Sequence, residues 1–465
     1  MDELTGPKSS SLTPRSAGSG IARAIAHSRF SHAMGRLVPL RVLKSLDACI
    51  PFKWRLMLRW RLHAVLGPPM PPLPLPRDRR SRLQRVLRAS NVPVSPGANL
   101  LGYARGEFGI AQSMRAYARS LENAAYPFLI FNLDVGSASS QRDHSLDSEF
   151  SDTLRYAINA FFINADQMPI ARGLLGKRSF RGHYNIGFWL WELEKFPRDW
   201  QCAIDLVDEI WAPTAFVRDA IAAATDKPVL RMPMAVEADA APRIDRAHFG
   251  LRHDEFVFLF SYDFNGFVSR KNPEAIVAAF RMAFGDGATG VRLLVKSSNG
   301  ARFPDKLAAL QRSVADDLRI EVRDGFLSRE EMFGLQNNID CFVSLHRSEG
   351  FGLGMAECMY LGKPVIATGY SGNLDFMDRH NSLLVDYTMV PLRTGDYPYW
   401  QGQQWADADI GHAAQLMQQV FRDRELRRRI GDAAAASIRR TNSKAVCGAA
   451  LAARLEEIQG LLQLG

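Results

Sequence analysis

Ser344-Leu345-His346-Arg347-Ser348-Glu349-Gly350-Phe351-Gly352-Leu353-Gly354-Met355-Ala356-Glu357 sets two carboxylates eight positions apart around a glycine-spaced turn, and Cys341-Phe342-Val343 before it reads as a strand. Strand, Gly-rich turn and helix, in that order, offer free backbone N–H groups and a helix N-terminus to an anion, most often phosphate. A carboxylate beyond such a turn commonly takes ribose hydroxyls. If both glutamates lay on one helix they would stand about 12 Å apart, so Glu349 and Glu357 need different ligand groups. The simplest geometry leaves Glu349 at the strand end, Gly350-Phe351-Gly352 as the turn and Glu357 inside the helix.

Outward from this stretch, short apolar runs alternate with amphipathic helical patterns, which predicts parallel sheets flanked by helices. A first series is expected to begin at Asn99–Tyr103, turn through Arg105–Gly109 and continue as a helix from Ile110 to Leu121. Further strands are predicted at Pro127–Leu133, Ala160–Ile163, Tyr184–Leu190, Glu209–Ala212 and Pro228–Pro233. The second series comprises Phe256–Tyr262, Val291–Lys296, Ile320–Val322, Cys341–Leu345, Pro364–Thr368 and Ser382–Val385. From about Asp409 to Leu464 the pattern is helical with no strand left to serve. The expected domains are a basic extension with a Pro-rich linker over 1–94, a first Rossmann-like lobe over 95–240, a second over 241–435, and a C-terminal helix over 436–465 that packs back on the first lobe.

A chain of 465 residues is too long for one core, and its 47% hydrophobic and 23% charged residues suit soluble globular lobes. The net charge of +9 is unevenly placed: residues 1–90 hold 17 Lys and Arg against 4 Asp and Glu, leaving 41 against 45 for the remainder. All of the excess positive charge sits in the extension, so a basic nucleic-acid-binding body is not indicated. Residues 37–66 mix Phe52, Trp54, Leu56, Met57 and Trp60 with Lys44, Lys53, Arg55, Arg59 and Arg61. That composition suits an anionic membrane surface, or equally a helix docked on the globular body with solvated arginines. Gly67 to Pro76 reads as a stiff polyproline linker. No run reaches the length of a membrane span and no signal peptide is evident, so a cytoplasmic protein is expected, attached at most to the inner face of the cytoplasmic membrane. Five scattered cysteines without CxxC spacing indicate neither a disulfide framework nor a zinc site.

Arg270-Lys271-Asn272-Pro273 follows a predicted strand and polar loop, with Pro273 placed for the first helical turn. Two cations there make either a solvated helix start or a pocket for diphosphate. In the second case they stabilise negative charge that develops on a leaving group. In the first lobe, Trp189, Trp191 and Trp211 serve either as core and cleft wall or as stacking surfaces, and Glu192 and His183 are candidate polar contacts on the same side.

The Glu349 to Glu357 segment, with Gly362-Lys363-Pro364-Val365-Ile366-Ala367 and Ser371-Gly372-Asn373 after it, resembles the EGFGLxxxE signature of retaining family 4 glycosyltransferases (glycosyl transferases group 1) of the GT-B fold. Leu101–Gly109 and the stretches Gly187–Glu192 and Asp208–Thr214 are similar to N-terminal pieces of that family, and the likeness spans about residues 98–440. The resemblance implies two Rossmann-like αβα lobes facing a central cleft, a nucleotide-diphosphate sugar held mainly by the second lobe, and an acceptor presented by the first. Carried over by position, Glu349 faces the donor sugar and Glu357 the ribose. Gly350, Phe351, Gly352 and Leu353 lie on the donor, with Phe351 and Gly352 offering backbone N–H groups, and Lys271 neutralises the diphosphate. The loop from Gly102 to Gly109 approaches the diphosphate, while Glu192, Trp189, Trp191 and His183 stand on the acceptor side.

Many members close the strand before this lysine with a Gly-Arg pair, whereas this chain reads Phe260-Ser261-Tyr262-Asp263-Phe264-Asn265, and Arg270 is the expected substitute. The family's anion grip needs no metal, so Asp407-Ala408-Asp409 is read as a chance DxD match on a helix start. The implied activity is hexose transfer to a hydroxyl, with retention, on a glycan or lipid-linked glycan in cell-surface polysaccharide or glycolipid synthesis. An epimerase or phosphorylase on the same lobes, and a noncatalytic membrane-associated scaffold, stay open. A nicotinamide dehydrogenase is disfavoured because no strand-linked GxGxxG stands out.

Overall fold

Two six-stranded parallel sheets, each covered by helices, carry the chain from Ala98 to its last helix. The computed structural model describes residues 95–133, 135, 140–237 and 244–463, all within the larger of two units, Pro68–Gly465. The expectations for the extension 1–94 and its segment 37–66 fall outside the described residues.

The first sheet contains β1 (Ala98–Gly102), β2 (Phe128–Asn132), β3 (Ile158–Phe162), β4 (Tyr184–Phe188), β5 (Glu209–Ala212) and β6 (Val229–Arg231), in the order β2-β1-β3-β4-β5-β6. β1, β3, β4 and β5 are buried along their whole length, as befits strands covered on both faces. Near their amino ends the interior strands β1, β3 and β4 are tied by a buried amide ladder: Asn99 donates to Asn159 at 2.8 Å, and Asn159 to Asn185 at 3.0 Å. Helix α1 (Gly109–Asn123) follows β1, α2 (Met168–Leu175) follows β3 and α3 (Ala215–Ala222) follows β5.

The second sheet is built from β7 (Phe256–Asp263), β8 (Val291–Ser298), β9 (Ile320–Asp324), β10 (Cys341–Ser344), β11 (Val365–Thr368) and β12 (Leu383–Val385). Its order, β12-β11-β10-β7-β8-β9, reverses between β7 and β10, and such a switch point is where doubly wound sheets bind ligands beyond the strands' carboxyl ends. The connecting helices are α4 (Pro273–Phe284), α5 (Pro304–Val314), α6 (Arg329–Asn338) and α7 (Leu353–Tyr360). Pro273 opens α4, and a reciprocal Ser328–Glu331 capping box opens α6.

Three helices end the chain: α8 (Ile410–Arg422), α9 (Arg424–Thr441) and α10 (Lys444–Gln463). α9 lies on α7 in the second lobe, while α10 packs against α1 in the first. The chain therefore crosses back at Asn442, whose amide donates to the Met234 carbonyl at 2.9 Å on the outgoing crossing, and not at 436. An antiparallel hairpin of β13 (Tyr387–Pro391) and β14 (Gln404–Ala408) stands apart from both sheets, and the period pattern did not predict it.

The carboxyl ends of the two sheets face each other. Thr214, just beyond β5, donates to the carbonyl of Gly350, beyond β10, at 2.8 Å. Asp375, beyond β11, accepts the Ala215 N–H at 2.9 Å.

Candidate functional site

β7 and β10 deliver the central charges. Beyond β7, Phe267 turns the chain with φ of +64° and a single helical turn, Val268–Lys271, ends in Arg270 and Lys271. Beyond β10, Glu349 meets both: Lys271 Nζ lies 2.5 Å from Oε1 and Arg270 Nη1 3.1 Å from Oε2. Glu349 is 7% exposed, and burial pushes its carboxyl up, but Lys271 and Arg270 outweigh that and hold it down at about 2. Burial lowers the Lys271 ammonium more than Glu349 raises it, and adjacent Arg270 adds to the lowering. For Arg270 burial is again opposed, by Glu349 and then Glu192, and the net direction is up.

Arg270 is committed to protein partners. Nη1 also donates to the Ser348 carbonyl at 2.8 Å and Nε to the Gly266 carbonyl at 3.2 Å, while Nη2 stands 3.8 Å from Glu192. It is thus a brace between carboxylates of the two lobes, a different placement from the open diphosphate contact expected in place of the missing Gly-Arg pair. Lys271 is the cation left with donors to spare beside the turn.

That turn has the predicted form. Gly352 takes φ of +96° as the residue before α7, and no side chain caps the helix, so its N-terminus is open to an anion. Leu353 is the first helical residue, and the Phe351 ring is buried against Phe376 at 5.0 Å. Behind the turn, Ser371 Oγ accepts the Glu349 N–H at 2.8 Å and Gly372 N–H donates to the Glu349 carbonyl at 2.9 Å. His346 is fully buried, and burial holds its imidazole below the usual value. It sits 3.0 Å from Ser344 Oγ and 3.1 Å from Asn373 Oδ1, tying the strand end to the same loop.

Glu357 lies inside α7, as expected, and is 3% exposed. Arg329 donates to one carboxylate oxygen and Gln336 Nε2 to the other at 2.8 Å. Each oxygen keeps a second lone pair, and Gln336 Oε1 beside them is buried without a partner. Arg329 and Gln336 were not legible in the sequence, because their helix precedes the motif and carries no distinctive spacing.

On the first lobe the expected acceptor residues divide. Glu192 reaches the site through Arg270 and accepts a hydrogen bond from Tyr397 at 2.5 Å. Trp189 and Trp191 are 0% and 2% exposed: the first stacks on Phe196, the second packs edge-on against Phe196 and Trp200. They form the wall of the cleft and present no face for stacking. His183 precedes β4 and so lies at the amino-terminal edge of the sheet, opposite the cleft, which removes it from the acceptor side. Gly102 is buried, and a Cβ there would stand 2.6 Å from the Phe162 carbonyl oxygen. Its small size is needed by strand packing. Gly109 is exposed and opens α1, whose N-terminus has no side-chain cap. Asp407 lies in β14, not on a helix start, and pairs with Arg347 at 3.0 Å, while Asp409 caps α8 through the His412 N–H. Among the described residues no group of three or more His, Cys, Asp or Glu is arranged to hold a metal ion.

With this geometry in place, the comparisons with known proteins converge. Residues 245–388, which contain Arg270, Lys271, Glu349 and Glu357, match the sequence profile described as glycosyl transferases group 1. The second lobe is similar to that family. No curated protein sequence matches the chain. Among solved structures, the Anabaena protein Alr3699/HepE in complex with UDP and glucose is similar, with a TM-score of 0.56 at 13% identity over 78% of this chain and 100% of that one. A sucrose-phosphate synthase from Thermosynechococcus elongatus gives a TM-score of 0.57 at 14% identity over 79% and 100%. A glycosyltransferase from Rickettsia africae gives 0.57 at 13% over 80% and 100%. The fold is GT-B.

Proposed function

We propose that the chain is a glycosyltransferase that moves a hexose from a nucleoside-diphosphate sugar to a hydroxyl acceptor, with retention at the anomeric carbon. The observation that carries this reading is the Lys271–Glu349–Arg270 cluster at the switch point of the second sheet, next to the uncapped N-terminus of α7. Glu357, further along that helix, has spare acceptor capacity and the unpartnered Gln336 Oε1 beside it, a pair suited to ribose hydroxyls. Lys271 and the helix N-terminus then face the diphosphate, whose charge grows as the glycosidic bond breaks. Fixed positive groups at that point stabilise the transition state more than the bound donor. On this reading the leaving group is neutralised by the protein's own cation and no metal is required. Contacts between the lobes exclude water and limit donor hydrolysis.

Because the similar Anabaena protein was crystallised with UDP and glucose, UDP-glucose is the first donor to test. Lys271→Ala leaves Glu349 paired with Arg270, so the fold should persist while UDP release falls about 100-fold or more. Wild-type turnover in that variant would refute the assignment of Lys271, whereas a wild type that releases no UDP would favour a noncatalytic scaffold. We further propose that the basic residues 37–66 attach the enzyme to an anionic cytoplasmic membrane face carrying a lipid-linked glycan acceptor for surface polysaccharide or glycolipid. Co-sedimentation with anionic liposomes tests this, and binding that survives removal of residues 1–76 would exclude the extension as the anchor.

A further inference from the structure

The β13–β14 hairpin belongs to the second lobe, yet its connecting loop, residues 392–403, is fastened to the first. The Gln403 side chain donates to the Lys195 carbonyl at 2.7 Å and accepts the Lys195 N–H at 3.1 Å. Lys195 Nζ donates to the Gly402 carbonyl at 2.9 Å, and Trp200 Nε1 to the Tyr399 hydroxyl at 3.1 Å. Between these anchors stands Tyr397, 8% exposed. Its ring lies 5.7 Å from Trp191 and 4.7 Å from Phe267, and its hydroxyl donates to Glu192 Oε2 at 2.5 Å.

The other oxygen of Glu192 is 3.8 Å from Arg270, which holds Glu349. A carboxylate of the first lobe is therefore aimed by a phenol and a guanidinium of the second. Phe267 keeps a positive φ, which is costly for a bulky residue, and remains 36% exposed beside this group. Sugars are held by an apolar face under their C–H groups and a few placed polar atoms on their hydroxyls. With Trp189 and Trp191 buried, Phe267 is the aromatic ring that the cluster leaves open.

We propose that Glu192, Tyr397 and Phe267 form the subsite for the acceptor sugar, with Tyr397 the positioning residue that holds Glu192 toward the acceptor hydroxyl. The proposal rests on the glycosyltransferase reading and adds to it a contribution of the donor lobe to acceptor choice.

The test uses the full chain, UDP-glucose as donor and methyl α- and β-glycosides of common hexoses as acceptor probes, with UDP release as readout. In wild type at least one glycoside accelerates release. Tyr397→Phe removes one hydroxyl and keeps the ring. It should raise the KM for that glycoside about 10-fold, with a smaller change in kcat and UDP affinity held within about twofold. Phe267→Ala removes an exposed ring without opening the core and should raise the same KM, which keeps the test open even if Tyr397→Phe lowers the melting temperature. Unchanged acceptor KM in both variants overturns the subsite, as does a wild type whose UDP release no glycoside accelerates. A wild type that neither binds UDP nor releases it from UDP-glucose overturns the glycosyltransferase reading itself.

Discussion

Glu349 carries a charge where burial alone would remove it. Its carboxyl, held at about 2, stays ionised because Lys271 and Arg270 face it. A carboxylate whose pKa is lower in the folded state contributes stability above its unfolded value, near 4.3, and loses it as pH falls through the folded value. Glu349→Gln removes the anion from two buried cations, so it should destabilise the protein by about 3 to 5 kcal/mol at pH 7. Urea denaturation of both proteins checks this: the difference should hold constant from pH 7 to about 5 and shrink as pH drops toward about 2. A gap that is already absent at pH 7 would mean that the pair contributes nothing to folding. The sequence placed these residues at neighbouring strand ends, and the structure brings them together, but their packing was not readable from it. Arg270 was legible as a cation near the glutamates, while its burial follows from the Phe267 turn and the helical turn after it, which swing its guanidinium under the Ser348 carbonyl. Backbone turns of this kind leave no periodic trace in a sequence.

At the level of elements, the final helix shows how much depends on close approach. A Cβ on Gly448 would stand 2.2 Å from the Ser120 carbonyl oxygen of α1, so the α1–α10 contact is set by backbone against backbone. On the same helix Arg454 reaches the fully buried Glu209, which also accepts from Tyr184 at 3.1 Å and Trp211 at 2.7 Å. Gly448→Ala should cost about 1 to 3 kcal/mol through displacement of the helix. Thermal unfolding would report it, and a melting temperature equal to wild type would show that α10 is free to shift on α1. The strands were largely legible because apolar runs buried on both faces in a parallel sheet read as continuous hydrophobic segments, as in Phe256–Phe260. The hairpin was not, since Tyr387–Pro391 is mostly exposed and its pairing depends on a partner 13 or more residues away. The sequence left the role of Trp189 and Trp191 open for a related reason: it gives their position after β4, but only packing against Phe196 and Trp200 decides that their faces are covered.

Across the whole molecule, one set of the contacts that join the lobes uses the same loop that supports Glu349. Ser371 holds the Glu349 N–H, and four residues on, Asp375 accepts the Ala215 N–H at the start of α3 and pairs with Arg231 of the first lobe. Tyr370, one residue before Ser371, donates to Glu194 at 3.1 Å. On the proposed function, a donor that orders the Gly350–Gly352 turn should also order the surface on which the first lobe rests, and so couple lobe closure to donor occupancy through residues 370–375. Asp375→Ala leaves the Ala215 N–H and the Arg231 guanidinium without their shared acceptor while touching no group at the turn. The variant should bind UDP about as tightly as wild type, yet populate a more open arrangement, visible as a larger radius of gyration in small-angle scattering with UDP present. On the proposed function closure keeps water from the reacting sugar, so the ratio of donor hydrolysis to transfer should rise about 10-fold, as expected when a polar contact of this kind is lost and closure weakens by a comparable free energy. An unchanged scattering curve together with an unchanged ratio would separate the two events and leave Asp375 as a cap for α3 alone.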